Sequence, residues 1–233
     1  MCGRYLLRTA LEELARLFGF IERPNLAPHY NIAPTHQVPV IRQRREPAGQ
    51  RSIAALRWGL VLPWAENPKA GAPLINARAE TLVEKPAFSG ALQKRRCLVP
   101  ADGYYQWRDG DASKQPHLIA RRDHAPFAFA GLWERWGPRR DPAAALDSFT
   151  IITTQANDFL TPFHHRMPVV LTPECYASWL NPDADLSTAQ ALLAPARNYL
   201  LEAVPLARAV NSVRADGPEV LQPAGAPLVW SPA

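Results

Sequence analysis

The strongest constraint on this chain is its punctuation, because 24 prolines are spread through 233 residues and short runs rich in β-branched and aromatic side chains lie between them. Proline lacks the backbone donor that a ladder or a helix interior requires, so long regular elements are interrupted and many short strands are favoured. Runs of this kind are Gln37 to Arg42, Ser52 to Leu60, Cys97 to Val99, Tyr104 to Arg108, His117 to Arg121, Phe127 to Trp136 and Phe149 to Thr154. Tyr199 to Ala207 and Ala209 to Val213 read as closing strands, and the tail from Gln222 as irregular. One helix opens the chain: Thr9 and Glu12 have capping-box spacing, Leu11, Leu14, Ala15 and Phe18 recur on one helical face, and Gly19 ends the pattern. Pro86 to Lys94 and Pro173 to Leu180 read as helices with proline in the first turn, and Ser187 to Leu193 as another. With no repeat and no linker, the expectation is one α+β domain over residues 1–222, with a Pro-rich tail at 223–233. Mostly antiparallel sheets would surround a central cavity, with helices at the periphery.

Composition narrows the class further. With 47% hydrophobic and 20% charged residues the chain can bury a core, and no apolar run approaches the roughly 18 residues that would span a bilayer. The start MCGRYLLRTA lacks the apolar stretch of a signal peptide, so a soluble cytoplasmic protein is expected, with no membrane partner. The three cysteines, Cys2, Cys97 and Cys175, form neither a disulfide framework nor a C-x-x-C metal site, which suits a reducing compartment. A net charge of +5 favours polyanionic partners, and cations cluster at Arg42, Arg44 and Arg45, at Lys94, Arg95 and Arg96, at Arg121 and Arg122, and at Arg139 and Arg140. Each cluster taken singly reads as a solvated surface.

Cys2 directly follows the initiator methionine. Removal of Met1 would leave an α-amine and a thiol on one residue. An α-amine has a reference pKa near 7.7 to 8.0 against about 10.4 for lysine, so near neutral pH it supplies far more free base. Such an amine attacks an aldehyde, and the neighbouring thiol can then close a five-membered thiazolidine on the imine. Taken alone, a cysteine near a chain terminus is more simply an ordinary one.

The rest of the chain changes that balance. MCGRY, NIAP, RWGL, LINARAET, RRCLVPADGYYQW, AGLWE, FTIITT, HHRMPVVL and AVNSVRADGPE follow one another in order, and together they resemble the SOS-response-associated peptidase family, the abasic-site processing SRAP domain. The resemblance runs from Met1 to about Gln222. It implies a covalent crosslink between Cys2 and the ring-opened deoxyribose of an abasic site in single-stranded DNA, at replication forks or single/double-strand junctions. It also implies self-removal of Met1, weak lyase activity, no metal or organic cofactor, and a monomer. It assigns Cys2 as nucleophile, Asn76 as holder of the α-amine and His164 as acid/base. Chemically, Asn76 can accept an amine proton without adding charge, and a histidine with a reference pKa near 6.5 is suited to move protons. His165 is left as a phosphate contact, since neighbours on extended backbone point to opposite sides. His29, His36, His117 and His124 have no motif support and read as ordinary.

One position departs from the family pattern. Where a glutamate is usual after ADG-aromatic-aromatic, this chain has Gln106, which keeps hydrogen bonding but cannot exchange a proton at neutral pH. A variant relying on His164, a slower protein and an engineered substitution are the three explanations. For binding single-stranded DNA, Arg4, Arg78 and Arg166 each lie two residues beyond Cys2, Asn76 and His164, Lys85 is a further cation, and Trp64 and Trp107 are candidates for base stacking. Cys97 and Cys175 read as buried apolar residues. Three rivals come from other classes, of which a conventional cysteine protease acting on other proteins is disfavoured because the family label derives from self-processing. An N-terminal-nucleophile amidohydrolase also begins Met-Cys-Gly, but expects an Asn-Gly pair that is absent here. A non-covalent single-strand binding module would leave Cys2 incidental.

Overall fold

The computed structural model describes residues 2–44, 49–68, 73–108, 114–137 and 144–232. Arg45, Arg139 and Arg140 lie outside the described residues. Two sheets carry the fold. The first has β1 (Tyr5–Leu7), β2 (His29–Ile32), β7 (Gly103–Arg108), β8 (Gln115–Arg121), β13 (Leu201–Pro205) and β14 (Leu228–Val229), in the order β14-β13-β8-β7-β1-β2. The second contains β3 (Gln37–Gln43), β4 (Arg51–Trp58), β6 (Arg96–Ala101), β9 (Phe127–Trp136) and β10 (Leu146–Gln155), which close on themselves because β10 pairs both with β9 and with β4. The short β5 (Asn76–Arg78), β11 (Arg166–Pro168) and β12 (Val170–Leu171) extend this barrel. Helices α1 (Leu11–Phe18), α2 (Pro86–Lys94), α3 (Pro173–Leu180) and α4 (Leu186–Ala191) lie at its margins, giving the α+β class expected. Among the described residues no helix is long and apolar enough to cross a membrane.

The core sits where the sheets meet. Tyr5, Trp58, Tyr104, Phe129 and Phe149 are fully buried there, with Tyr5 meeting Trp58 and Phe129 edge-on at 5.3 and 5.7 Å. Close approach of β7 to β8 depends on Gly103, where an added Cβ would come within 2.8 Å of the Ile119 carbonyl.

Four local expectations are corrected. Thr9 does not cap α1: Ala10 is the N-cap, while the Thr9 backbone N–H donates to Asp102 Oδ2 at 3.0 Å and its hydroxyl to Asp102 Oδ1. A half-buried carboxylate on the turn between β6 and β7 outcompetes the helix end. Ala209 to Val213 is not a strand; Arg208–Asn211 forms a 3₁₀ turn whose carbonyls accept from Arg4, which a strand partner would have occupied. Residues 198–200 also form a 3₁₀ turn before β13 begins. The tail is not wholly irregular, since Leu228 and Val229 pair with Ala203 and Glu202.

Candidate active site

Cys2 is fully buried, and its carbonyl accepts a hydrogen bond from Asn76 Nδ2 at 3.0 Å. Asn76 opens β5, which runs parallel to β10 with Asn76 opposite Ile151 and Arg78 opposite Thr153. Its amide nitrogen also donates to the Ile75 carbonyl at 2.7 Å, so the side chain is oriented, yet its Oδ1 is buried with no partner. A buried acceptor left open on a side chain that bonds Cys2 can take a hydrogen bond from an amine. Burial pushes the Cys2 thiol up to about 12, so it is protonated at neutral pH. The phenols of Tyr5 and Tyr104, both raised by burial and further by Cys2, are likewise buried and unpartnered.

Gln106 reaches this region along β7. The Tyr105 N–H donates to the Arg4 carbonyl at 3.0 Å, which carries the β1–β7 ladder past Tyr5 towards Gln106. Gln106 is 6% exposed and its Nε2 has no partner. His164 comes from the other side, in the turn before β11. Its backbone N–H donates to the Leu160 carbonyl at 3.1 Å, and its Nδ1 accepts from the Arg166 N–H at 2.9 Å. The ring hydrogen of neutral His164 is therefore on Nε2. Burial lowers its pKa to about 4, with the positive amino terminus and His165 adding to the shift. At pH 7 the ring is neutral, a donor through Nε2, rather than a group titrating near 6.5.

The two histidines do not point apart. Their rings stack at 4.3 Å with planes 23° from parallel. The turn closed by the Leu160 carbonyl is not extended backbone, so the strand alternation behind that expectation does not apply.

The cations are held unequally. Arg166 is 8% exposed and bonds both oxygens of Glu80, at 2.7 and 3.0 Å, and the Thr153 carbonyl at 2.6 Å. Its charge, with that of Arg78, keeps the Glu80 carboxyl below the usual range despite the opposing effect of burial. Arg78 is exposed on the strand beside it. Arg4 stacks over Trp107 at 5.0 Å and donates to Val210 O at 2.7 Å, Asn211 O at 3.1 Å and Asn31 Oδ1 at 3.2 Å, so it packs against the smaller apolar cluster while Cys2 lies in the main core. Lys85 is exposed just before α2, and Trp64, 62% exposed, lies in the loop after β4. Among the basic clusters, Arg42, Arg44, Arg95 and Arg121 pair with Asp147, Glu22, Glu134 and Asp123, and Arg96 is buried among carbonyls. Their charge is largely internal to the fold. Among the described residues no group of three or more His, Cys, Asp or Glu side chains could hold a metal.

Cys2, Asn76, Arg78, His164 and Arg166 thus converge around β5, β10 and β11. What sequence reasoning missed is the pair of open phenols and His117. The latter stands opposite Gln106 only because of the β7–β8 register.

The chain is similar to known proteins along most of its length. A family model described as SOS response associated peptidase (SRAP) matches residues 1–213. The chain is 39% identical over 228 residues to the abasic site processing protein YoqW of Bacillus subtilis (strain 168), covering 95% of this chain and 99% of that protein. It is 32% identical to the abasic site processing protein YedK of Escherichia coli (strain K12), covering 96% and 100%. It is 30% identical to the abasic site processing protein HMCES of Gallus gallus, covering 96% and 78%. A crystal structure of a Bacteroides thetaiotaomicron protein superposes with a TM-score of 0.83 at 27% identity, covering 96% of this chain and 100% of that one. One from Bordetella bronchiseptica gives 0.75 at 26% identity, covering 88% and 100%.

Proposed function

The chain belongs to the SOS response associated peptidase (SRAP) family, and we propose on that basis that it processes abasic sites in single-stranded DNA by covalent attachment through Cys2 after loss of Met1. The observation that carries this reading is the treatment of Cys2: it is buried and gripped at its carbonyl by Asn76 at 3.0 Å, and the same amide keeps its Oδ1 buried without a partner. An incidental terminal cysteine has no use for such a cradle.

The order of events follows from the two acidities. The thiol is held protonated, whereas a freed α-amine has a reference pKa near 7.7 to 8.0, so the amine leads. Asn76 Oδ1 accepts one amine hydrogen and aims the nitrogen lone pair at the aldehyde carbon of the opened sugar. The C–N bond forms, one water leaves, and an imine results. The thiol then adds to the imine carbon, its hydrogen passes to nitrogen, and the thiazolidine closes. The net change is loss of one water. Neutral His164 donates through Nε2 to the oxygen that departs as water. The same acidities disfavour the amidohydrolase alternative, in which an ionised thiol must attack first. Exposed Arg78, Lys85 and Trp64 offer phosphate and base contacts suited to a flexible single strand. Self-removal of Met1, weak lyase activity and action as a monomer belong to the same reading.

The test is incubation of Met1-free protein with a single-stranded oligonucleotide carrying one abasic site, followed by a denaturing gel and mass spectrometry. The expected product is an adduct one water lighter than the sum of its parts, absent with Cys2→Ala and with intact DNA. Tight binding without an adduct would identify a non-covalent binder instead.

A further inference from the structure

Gln106 can orient a sugar hydroxyl but cannot take its proton. On the facing strand, the residue directly opposite Gln106 is His117. Directly opposed residues of an antiparallel pair project to the same face, with Cβ atoms about 4.5 to 5.5 Å apart. Here that face is the interior one, shared with fully buried Tyr104 and Ile119, and His117 itself is 4% exposed. His117 Nδ1 lies 3.0 Å from the Gln115 carbonyl, which places the ring hydrogen on Nδ1 and leaves Nε2 as the basic nitrogen. The ring meets the edge of Phe163 at 4.9 Å, and Phe163 immediately precedes His164. A basic nitrogen, an amide with an open Nε2 and the His164 turn therefore meet at one place.

Resting on the function proposed above, we propose that His117 moves the proton that Gln106 cannot. Nε2 takes the C1′ hydroxyl proton of the closed abasic sugar. As the bond from C1′ to the ring oxygen breaks, the imidazolium returns a proton to that oxygen. The aldehyde forms with no net proton gained or lost, and Gln106 holds the hydroxyl during the transfer. Burial lowers the His117 pKa, so the ring is neutral and able to accept at pH 7. The groups around it add one charge: Arg108 on β7 lowers the pKa further, β13 presents Val204 and Pro205, and the turn presents Phe163 followed by His164. The 3₁₀ turn Arg208–Asn211 packs through Val210 in the cluster that takes Leu118, on the other side of β8.

The test compares single-turnover adduct formation across pH for the native chain, His117→Phe, Gln106→Glu and the double variant, with His117→Gln as a second replacement. Loss of His117 is expected to slow the native chain by about tenfold or more and to remove one ionisation from its low-pH limb. Once Gln106→Glu supplies a carboxylate, the same loss is expected to change the rate by less than about twofold, within the range left when a general base is redundant. Equal slowing in both backgrounds means a structural role and overturns the proposal, as does no slowing in either. A complete lack of Cys2-dependent adduct in every variant overturns the function itself, an outcome distinct from adducts whose rates ignore His117.

Discussion

The two faces of β7 are finished in opposite ways. On the outer face the Tyr105 hydroxyl donates to the Tyr30 carbonyl, and Trp107 Nε1 donates to Asn211 Oδ1 at 2.7 Å. Arg4 covers the Trp107 ring while its guanidinium is spent on carbonyls. On the inner face the Tyr104 hydroxyl and Gln106 Nε2 are buried and unpartnered, as are Tyr5 Oη on β1 and Asn76 Oδ1 on β5. Buried polar groups are ordinarily paired, and each one left open costs about 1 to 3 kcal/mol. Of these four, Asn76 bonds the Cys2 carbonyl and the Tyr5 and Tyr104 phenols are close enough to Cys2 to feel its charge, so the inner face keeps open polar atoms beside Cys2, whereas the outer face pairs its own.

Asn76→Ala is the sharpest way to break this contrast. It removes both the grip on the Cys2 carbonyl and the open acceptor, and should slow adduct formation by about a hundredfold, the scale of a misplaced reacting group, while cooperative unfolding persists. An unchanged rate would show that the inner face does not position the amine.

The paired tyrosines give a smaller effect, read in stability. Tyr105→Phe strands the Tyr30 carbonyl and should destabilise the chain by about 1 kcal/mol in denaturant unfolding, whereas Tyr104→Phe removes an unpaired hydroxyl and should be neutral or slightly stabilising. Equal losses at both positions would erase the difference between the faces.

A further effect is in pH. The folded pKa values of His117 and His164 lie below the unfolded value near 6.5, that of His164 at about 4. As pH falls from about 6.5 the unfolded chain binds these protons first, so stability is complete above that pH and declines towards about 4. His164→Gln should flatten the decline measured between these limits. A midpoint of denaturation that stays constant from pH 6.5 to 5 would contradict the neutral state of both rings in the folded chain.

Much of the architecture is legible in the chain's local chemistry. The seven runs all become strands, one of them with Pro39 inside it, and Pro86–Lys94 and Pro173–Leu180 are helices with proline in the first turn. Gly19, at φ 70°, ends α1 in the left-handed conformation its position implies. Period and punctuation are local signals, and local signals survive without tertiary context. The family is legible too, since nine motifs in register span the chain, and with it come Cys2, Asn76, Gln106 and His164 as candidates.

What the linear chain could not decide is pairing. Three-residue β5 carries too little pattern to be read as a strand and exists because β10 offers it a free edge. Thr9 bonds Asp102 rather than capping α1, and His165 stacks on His164 rather than turning away, because distant or turn-specific backbone set the geometry. Arg166 is equally readable as a phosphate contact or as the bidentate partner of Glu80 until the fold brings Glu80 to it. His117 had no motif to recommend it, and only the register of β7 on β8 sets it against Gln106. Residue type and spacing determined which elements form and which chemistry is on offer. Long-range strand register and the burial it imposes, which depend on contacts between residues far apart in the chain, decided which polar atoms are closed and which are left open for a substrate.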